Sequence, residues 1–301
     1  MSGAVAQAGL GRQAMASPKA IISAGVAALL ILSAAFAPWI APHDPFALGS
    51  FNLMDSELPP IWVEGGDPRF LLGTDTQGRD VLSAILYGMR VSLIVGFAAV
   101  AISASVGTLL GLVAGFRGGW LDAVLMRFAD VILSFPTILI ALLVSGIARG
   151  LLPDARQGDY AIYVLILAIA INEWTQYART VRGQTLVEGA LDYVKAARIS
   201  GLTDARILRR HILPNILSPV IVIATINLGL AVLAEATLSF LGVGMPVTQP
   251  SLGTLIRIGN ENLFSGVWWV VVFPAAALVM LVLSVNIFGD WLRDALNPRL
   301  G

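Results

Sequence analysis

The sequence predicts an all-α integral membrane protein with six transmembrane helices. Three observations carry that prediction. Of its 301 residues, 57% are hydrophobic and only 13% charged, about half the charged share of an average soluble domain. The mean hydropathy is +0.81. Six stretches approach the roughly 20 apolar residues needed to cross about 30 Å of hydrocarbon.

The first stretch covers residues 20–40. Its apolar run is longer than the core of a secretory signal, and Pro38 would directly follow a scissile Ala37, so it reads as a span rather than a cleaved leader. The second and third cover 91–116 and 123–147, with Pro136 inside the latter. The fourth, 160–178, is the weakest, because its purely apolar core "YAIYVLILAIAI" is too short and the helix must continue through "NEWTQYA". The fifth and sixth cover 212–234 and 267–288, interrupted by Pro219 and Pro274.

Orientation follows the asymmetry of Lys and Arg. With the N-terminus inside, the inner segments hold Arg12, Lys19, Arg117, Arg127, Arg179, Arg182, Lys195, Arg198, Arg206, Arg209, Arg210, Arg293 and Arg299. The outer ones hold Arg69, Arg79, Arg90, Arg149, Arg156 and Arg257. Both termini are therefore expected in the cytoplasm, and Trp39, Trp268, Trp269 and Trp291 fall near span ends as interfacial anchors. The chain divides into a tail (1–19), a first span (20–40), an outer cap (41–89), a five-helix core (90–291) and a second tail (292–301).

Several chemistries are excluded. There is no cysteine, and His43 and His211 are far apart, so no metal site is expected. No G-x-x-x-x-G-K-[ST] segment occurs, so the chain is not expected to bind ATP. A net charge of zero gives no electrostatic footprint for nucleic acid. No internal repeat is visible, against an inverted-repeat transporter, and no nucleophile or base cluster suggests an enzyme.

The stretch "YVKAARISGLTDARILRRHILPN" (193–215) is basic and polar, yet lies between two spans. Asp192 can cap a first short helix, and Gly201 can end it in the left-handed conformation. Thr203 or Asp204 can cap a second, with Pro214 bending the chain into the fifth span. Two uses fit this shape: docking into a groove of a soluble partner, or lying on anionic lipid.

"KAARISG" followed by "HILPN" resembles the cytoplasmic EAA loop of permease subunits of binding-protein-dependent ABC importers. Segments 71–93 ("LLGTDTQGRDVLSAILYGMRVSL"), 234–244 ("AEATLSFLGVG") and 286–299 ("NIFGDWLRDALNPR") are similar to the C-type permease of dipeptide and oligopeptide importers. The resemblance implies a type I importer permease fold. It implies pairing with a B-type permease, two cytoplasmic ATPases that bind ATP and magnesium, and an extracytoplasmic peptide-binding protein, all at a bacterial inner membrane. It implies that Tyr193, Lys195, Ala196, Ala197, Arg198, Gly201, Leu213 and Pro214 form the loop that couples to the ATPases. Lys195 departs from the pattern, because an acidic residue is usual there. Related permeases carry dipeptides, longer peptides, murein peptides, glutathione or nickel chelates.

Three polar residues are candidates for the translocation path. Glu173 would lie about 20 Å along the fourth span, with Asn172 beside it. An intramembrane carboxylate lines a wet path or bonds a neighbouring helix. Glu235, about 33 Å along the fifth helix, would reach the outer interface and there meet cargo, cap locally or pair with Arg257. Arg127 and Asp130 are spaced for an ion pair on one helix face, as are Asp290, Arg293 and Asp294. Gly107, Gly111 and Gly115 form a small-residue face for close helix packing.

Overall fold

The computed structural model describes residues 17–46, 52–151 and 157–296. Arg12, Arg156 and Arg299, used above for orientation, lie outside them. Among the described residues the chain is helical, with one isolated bridge between Thr74 and Asp80. The helices are α1 (Pro18–Ala35), α2 (Ala37–Ile40), α3 (Val81–Arg117), α4 (Gly119–Leu133), α5 (Thr137–Leu151), α6 (Gln157–Gly189), α7 (Asp192–Ile199), α8 (Asp204–Ile207), α9 (Leu213–Phe240), α10 (Leu252–Glu261) and α11 (Trp269–Ala295).

Among the described residues five helices are long and apolar enough to cross a membrane: α1, α3, α6, α8 running into α9, and α11. The predicted third span, 123–147, is not one straight helix. It divides into α4 and α5, bent by 91° at Ser134–Pro136, and becomes a sixth span only if the bent pair is counted as one. Pro136 has no N–H for the ladder, and its ring drives Phe135 out of helical geometry. Pro219 and Pro274 sit inside α9 and α11, which continue through them.

The other boundaries differ from the hydropathy reading mainly by extension. α3 starts at Val81, ten residues before the apolar run, because the Asp80 carboxylate accepts the backbone N–H of Ser83 at 3.0 Å. It ends at Gly118, whose φ of +63° turns the chain directly into α4. α6 carries the weak fourth span through "NEWTQYA" to Gly189, as its length required.

The pair α3–α6 is the most extensive helix interface, and its geometry follows from the glycine face. A Cβ on Gly107, Gly111 or Gly115 would stand 2.4, 2.5 or 2.7 Å from the carbonyl oxygens of Trp174, Ala178 and Arg182. The two backbones are therefore in direct contact along three turns. α1 packs on α11 and α3, so the first span joins the bundle rather than standing apart.

The segment ahead of α3 is built on buried polar contacts. Arg79 Nε donates to Asp75 Oδ2 at 2.7 Å with both side chains 5% exposed. Asp75 Oδ1 also accepts the backbone N–H groups of Gln77 and Arg79. Trp269 is buried and donates from Nε1 to the Thr74 carbonyl at 2.9 Å, so it ties α11 to this cap instead of serving as an interfacial anchor. Trp39 remains exposed.

Replacing Gly111 by leucine should separate α3 from α6. The measured outcome is loss of properly folded, detergent-soluble protein in size-exclusion chromatography. Gly146→Ala, where a Cβ meets nothing within 4 Å, should leave yield and melting temperature unchanged.

Candidate translocation and coupling sites

The helical connection between α6 and α9 forms as the sequence suggests, with its caps made differently. Asp192 is the first residue of α7 rather than its cap; Leu191 holds the cap position and supplies no side-chain bond. Asp192 instead accepts from Lys195 Nζ at 3.0 Å, on the exposed surface. Gly201 adopts φ +77°. The N–H of Gly201 donates to Arg198 O and that of Leu202 to Ala197 O, the paired bonds that close a helix on a left-handed residue. Thr203 caps α8 through its backbone carbonyl only.

α8 then runs through a π turn, Leu208–Ile212, into α9. Pro214 lies in the first turn of α9 and produces no separate bend. Its missing N–H costs nothing at that position. The wider turn before it closes with the Leu213 N–H donating to Leu208 O.

α7 turns Val194 and Ala197 inward and leaves Tyr193, Lys195, Ala196, Arg198 and Ile199 outward. Ile199 is 88% exposed. Arg198 lies over the Phe116 ring at 4.9 Å, holding α7 beside the end of α3. Leu213 packs against the small apolar cluster of Val194, Ala197 and Ile207.

A hydrogen-bonded knot absent from the sequence reading fixes this unit to two long helices. The Tyr193 hydroxyl donates to Glu188 Oε2 at the end of α6. Asn215 Nδ2, in the first turn of α9, lies 2.9 Å from the Tyr193 oxygen, 3.0 Å from His211 O and 3.3 Å from Glu188 Oε2. Partial burial first, and the Glu188 carboxylate second, raise the Tyr193 pKa above the usual phenol value. One side chain of α7 thus touches both the exit of α6 and the entry of α9. The signal that could have located it is the "LPN" tripeptide, which puts a short amide one residue after the helix-starting proline.

The second feature is a cavity of about 710 Å³ walled by α5, α6 and α9. Asn172 and Glu173 both line it, with Thr137, Gln176, Arg179, Asn227 and Thr237. Asn172 Nδ2 donates to Thr137 Oγ1, which fixes its amide against α5. The bend at Pro136 is what brings Thr137 to this wall.

Glu235 does not line the cavity, and its carboxylate is enclosed by neighbouring helices rather than open to a surface. It is 0% exposed. Ser92 of α3 donates to Oε2 and Ser239 to Oε1, each at 2.6 Å. The Ser92 oxygen faces the Leu252 N–H at 3.4 Å, and the Ser239 oxygen accepts from Met245 N at 3.1 Å. Glu235 therefore joins α3, α9, the following loop and α10. α10 and the loop before it fold back over the end of α9, so the carboxylate at that height is covered by protein. Arg257 pairs with Glu261 at 3.5 Å instead.

Two further charged pairs cross between helices. Asp130 pairs with Arg179, and Asp122 takes a two-point contact from Arg182, with Nη2 to Oδ2 at 2.7 Å. Both tie α4 to α6. Arg127 is exposed and does not bond Asp130, because Asp130 faces α6. Asp290, Arg293 and Asp294 are exposed on the last turns of α11 and make no ion pair among the described residues.

The chain and its fold have counterparts among known proteins. The family described as "Binding-protein-dependent transport system inner membrane component" matches residues 107–301. The chain belongs to that family. The chain also matches a second family, the N-terminal TM domain of oligopeptide transport permease C, over residues 12–60. It is 39% identical to the di/tripeptide transport system permease protein DppC of Pseudomonas aeruginosa, over 90% of this chain and 85% of that one. Identity is 39% to the dipeptide transport system permease protein DppC of Haemophilus influenzae, covering 90% and 88%. It is 35% to the glutathione transport system permease protein GsiD of Pectobacterium atrosepticum, covering 93% and 87%. The inward-facing MetNI methionine ABC transporter shares the fold, with a TM-score of 0.52 and 22% identity over 72% of this chain and 96% of that one. The type I importer permease fold of this transport component is thereby established.

Glu235→Leu leaves two buried serine hydroxyls without an acceptor, at a cost of roughly 2–4 kcal/mol. A lower melting temperature of the purified protein checks this, and Glu235→Gln, which keeps one acceptor, should lose less. Asn215→Leu should leave folding near normal but loosen α7, seen as faster amide exchange across 192–212 by mass spectrometry.

Proposed function

We propose that this chain is the C-type half of a heterodimeric ABC importer for di- and tripeptides. The reading is supported foremost by the α7–turn–α8 unit clamped to α6 and α9 through Tyr193, Glu188 and Asn215. Its relatives carry the names of dipeptide and di/tripeptide permeases. A B-type permease forms the other half of the path. Two cytoplasmic ATPases bind ATP and magnesium, and an extracytoplasmic binding protein delivers the peptide. The complex sits in the bacterial inner membrane with both termini of this chain in the cytoplasm.

The mechanism is alternating access driven from the inner side. Closure of the ATPases moves α7, whose exposed Ile199, Lys195 and Arg198 offer an apolar and basic surface to a partner cleft. The Tyr193–Asn215 contacts carry that displacement into α6 and α9 as a unit. Lys195, already paired with Asp192 in the same helix, substitutes for an acidic residue without leaving an isolated charge. Because α6 and α9 also wall the cavity of Asn172 and Glu173, their movement opens or closes the path. The domain division at 20–40 and 90–291 then separates a packing helix from the moving core.

Glutathione is the second cargo reading, favoured by the 35% identity to a glutathione permease. It is itself a tripeptide, so both readings share a pathway.

Gly201→Pro tests the coupling role. Proline cannot adopt φ +77° and removes the N–H that closes α7. The assembled complex should lose at least tenfold of its peptide-stimulated ATP hydrolysis, or lose its ATPases on purification. Unchanged stimulation would rule the coupling role out.

A further inference from the structure

The cavity of α5, α6 and α9 has a charge arrangement that a passive pore wall does not need. Glu173 is its one lining carboxylate and Arg179 its one lining cation among the described residues. No ion pair reaches Glu173 from any described residue. Its Oε2 is buried without a hydrogen-bond partner among them.

A residue facing it is in the same condition. Asn227, on the opposing helix α9, lines the cavity, is 1% exposed and leaves both amide atoms unbonded. Tyr177, one turn below Glu173, lies behind this wall rather than in the cavity lining; it is buried in the apolar cluster beneath, with its hydroxyl toward Asn227 and Ser103. Folded proteins satisfy nearly all buried polar groups, so an open carboxylate oxygen and an open amide on facing helices of one cavity mark a place for a polar ligand. A carboxylate with an amide carbonyl across from it suits an ammonium group, which has three N–H donors.

The other end of the cavity offers the complementary charge. Arg179 contacts Asp130 through Nη2 alone and its side chain is about half exposed, which leaves guanidinium N–H groups free to bind an anion. Glu173 and Arg179 are six residues apart on α6, a rise of about 9 Å. An extended chain of two to three residues spans about 7–11 Å.

We propose that this cavity holds a subsite for the zwitterionic backbone of a di- or tripeptide, with the α-ammonium at Glu173 and Asn227 and the α-carboxylate toward Arg179. The subsite rests on the peptide-importer reading and adds to it a determinant of cargo within the permease itself. Length selection follows, because a longer peptide cannot place both termini at once. The Asn172–Thr137 bond holds the wall next to Glu173 in register.

The test uses the assembled transporter in lipid nanodiscs, without the binding protein, and radiolabelled glycyl-phenylalanine as probe. Saturable binding is expected. N-acetylated glycyl-phenylalanine should compete at least tenfold more weakly than the free peptide, and so should the C-terminal amide. Glu173→Gln should weaken probe binding at least tenfold, and in Arg179→Gln the amide should compete as well as the free acid. The analogue series on the unaltered complex needs no variant to fold. Absence of saturable binding, or equal competition by the acetylated peptide, overturns the subsite. ATP hydrolysis by the same complex with peptide-loaded binding protein is measured in parallel. Stimulation without probe binding overturns the subsite alone, whereas no stimulation overturns the importer reading and the subsite with it.

Discussion

The backbone contact between α3 and α6 is the constraint on which the other features depend. In hydrocarbon there is little hydrophobic gain in pressing two apolar helices together, so close van der Waals packing has to hold them. Gly107, Gly111 and Gly115 provide it by letting the carbonyls of Trp174, Ala178 and Arg182 lie where side chains would otherwise stand. Fixing α6 against α3 over three turns also fixes its rotation. Asn172, Glu173 and Gln176 then face the cavity, while Arg179 and Arg182 reach the aspartates of α4.

From that fixed helix the rest is built outward in both directions. At one end α6 passes through Glu188 into α7, and the Tyr193–Asn215 contacts return the chain to α9. At the other, Glu235 and its serines gather α3, α9 and α10 into a closed polar knot. The two polar clusters solve opposite problems. Glu235 has its acceptors filled and acts as an internal fastener, whereas Glu173 keeps an unfilled acceptor beside a cavity. Two glutamates that look alike in a hydropathy profile therefore have different physical roles.

Much of this was legible from particular residues. The glycine spacing announced the packing face, Gly201 announced the left-handed turn, and the polar content of 193–215 announced a structured connection between two long helices. These are local signals: each depends on a residue's own backbone freedom or on its nearest helical neighbours. The errors have one common origin. The Arg127–Asp130 pair, the Asp192 cap, the Trp269 anchor and the Glu235–Arg257 pair were all inferred from position along the chain. In three of the four a partner distant in sequence took the group: Arg179 for Asp130, the Thr74 carbonyl for Trp269, Ser92 for Glu235. Asp192 is the exception, since Lys195 lies only three residues away.

The amino-acid sequence by itself determined that this is a helical membrane protein, where its long helices run, and which loop stands apart from them. Runs of apolar side chains are enough for that, because a backbone in lipid must satisfy its own hydrogen bonds and can do so only within each helix. Only the tertiary structure decided which polar side chains meet, that the Pro136 break turns α5 through 91° to wall a cavity, and that Tyr193 joins two helices at once. The reason is that a buried polar group must find a partner wherever the packing brings one, and the packing direction of each helix is set by its neighbours rather than by its own residues.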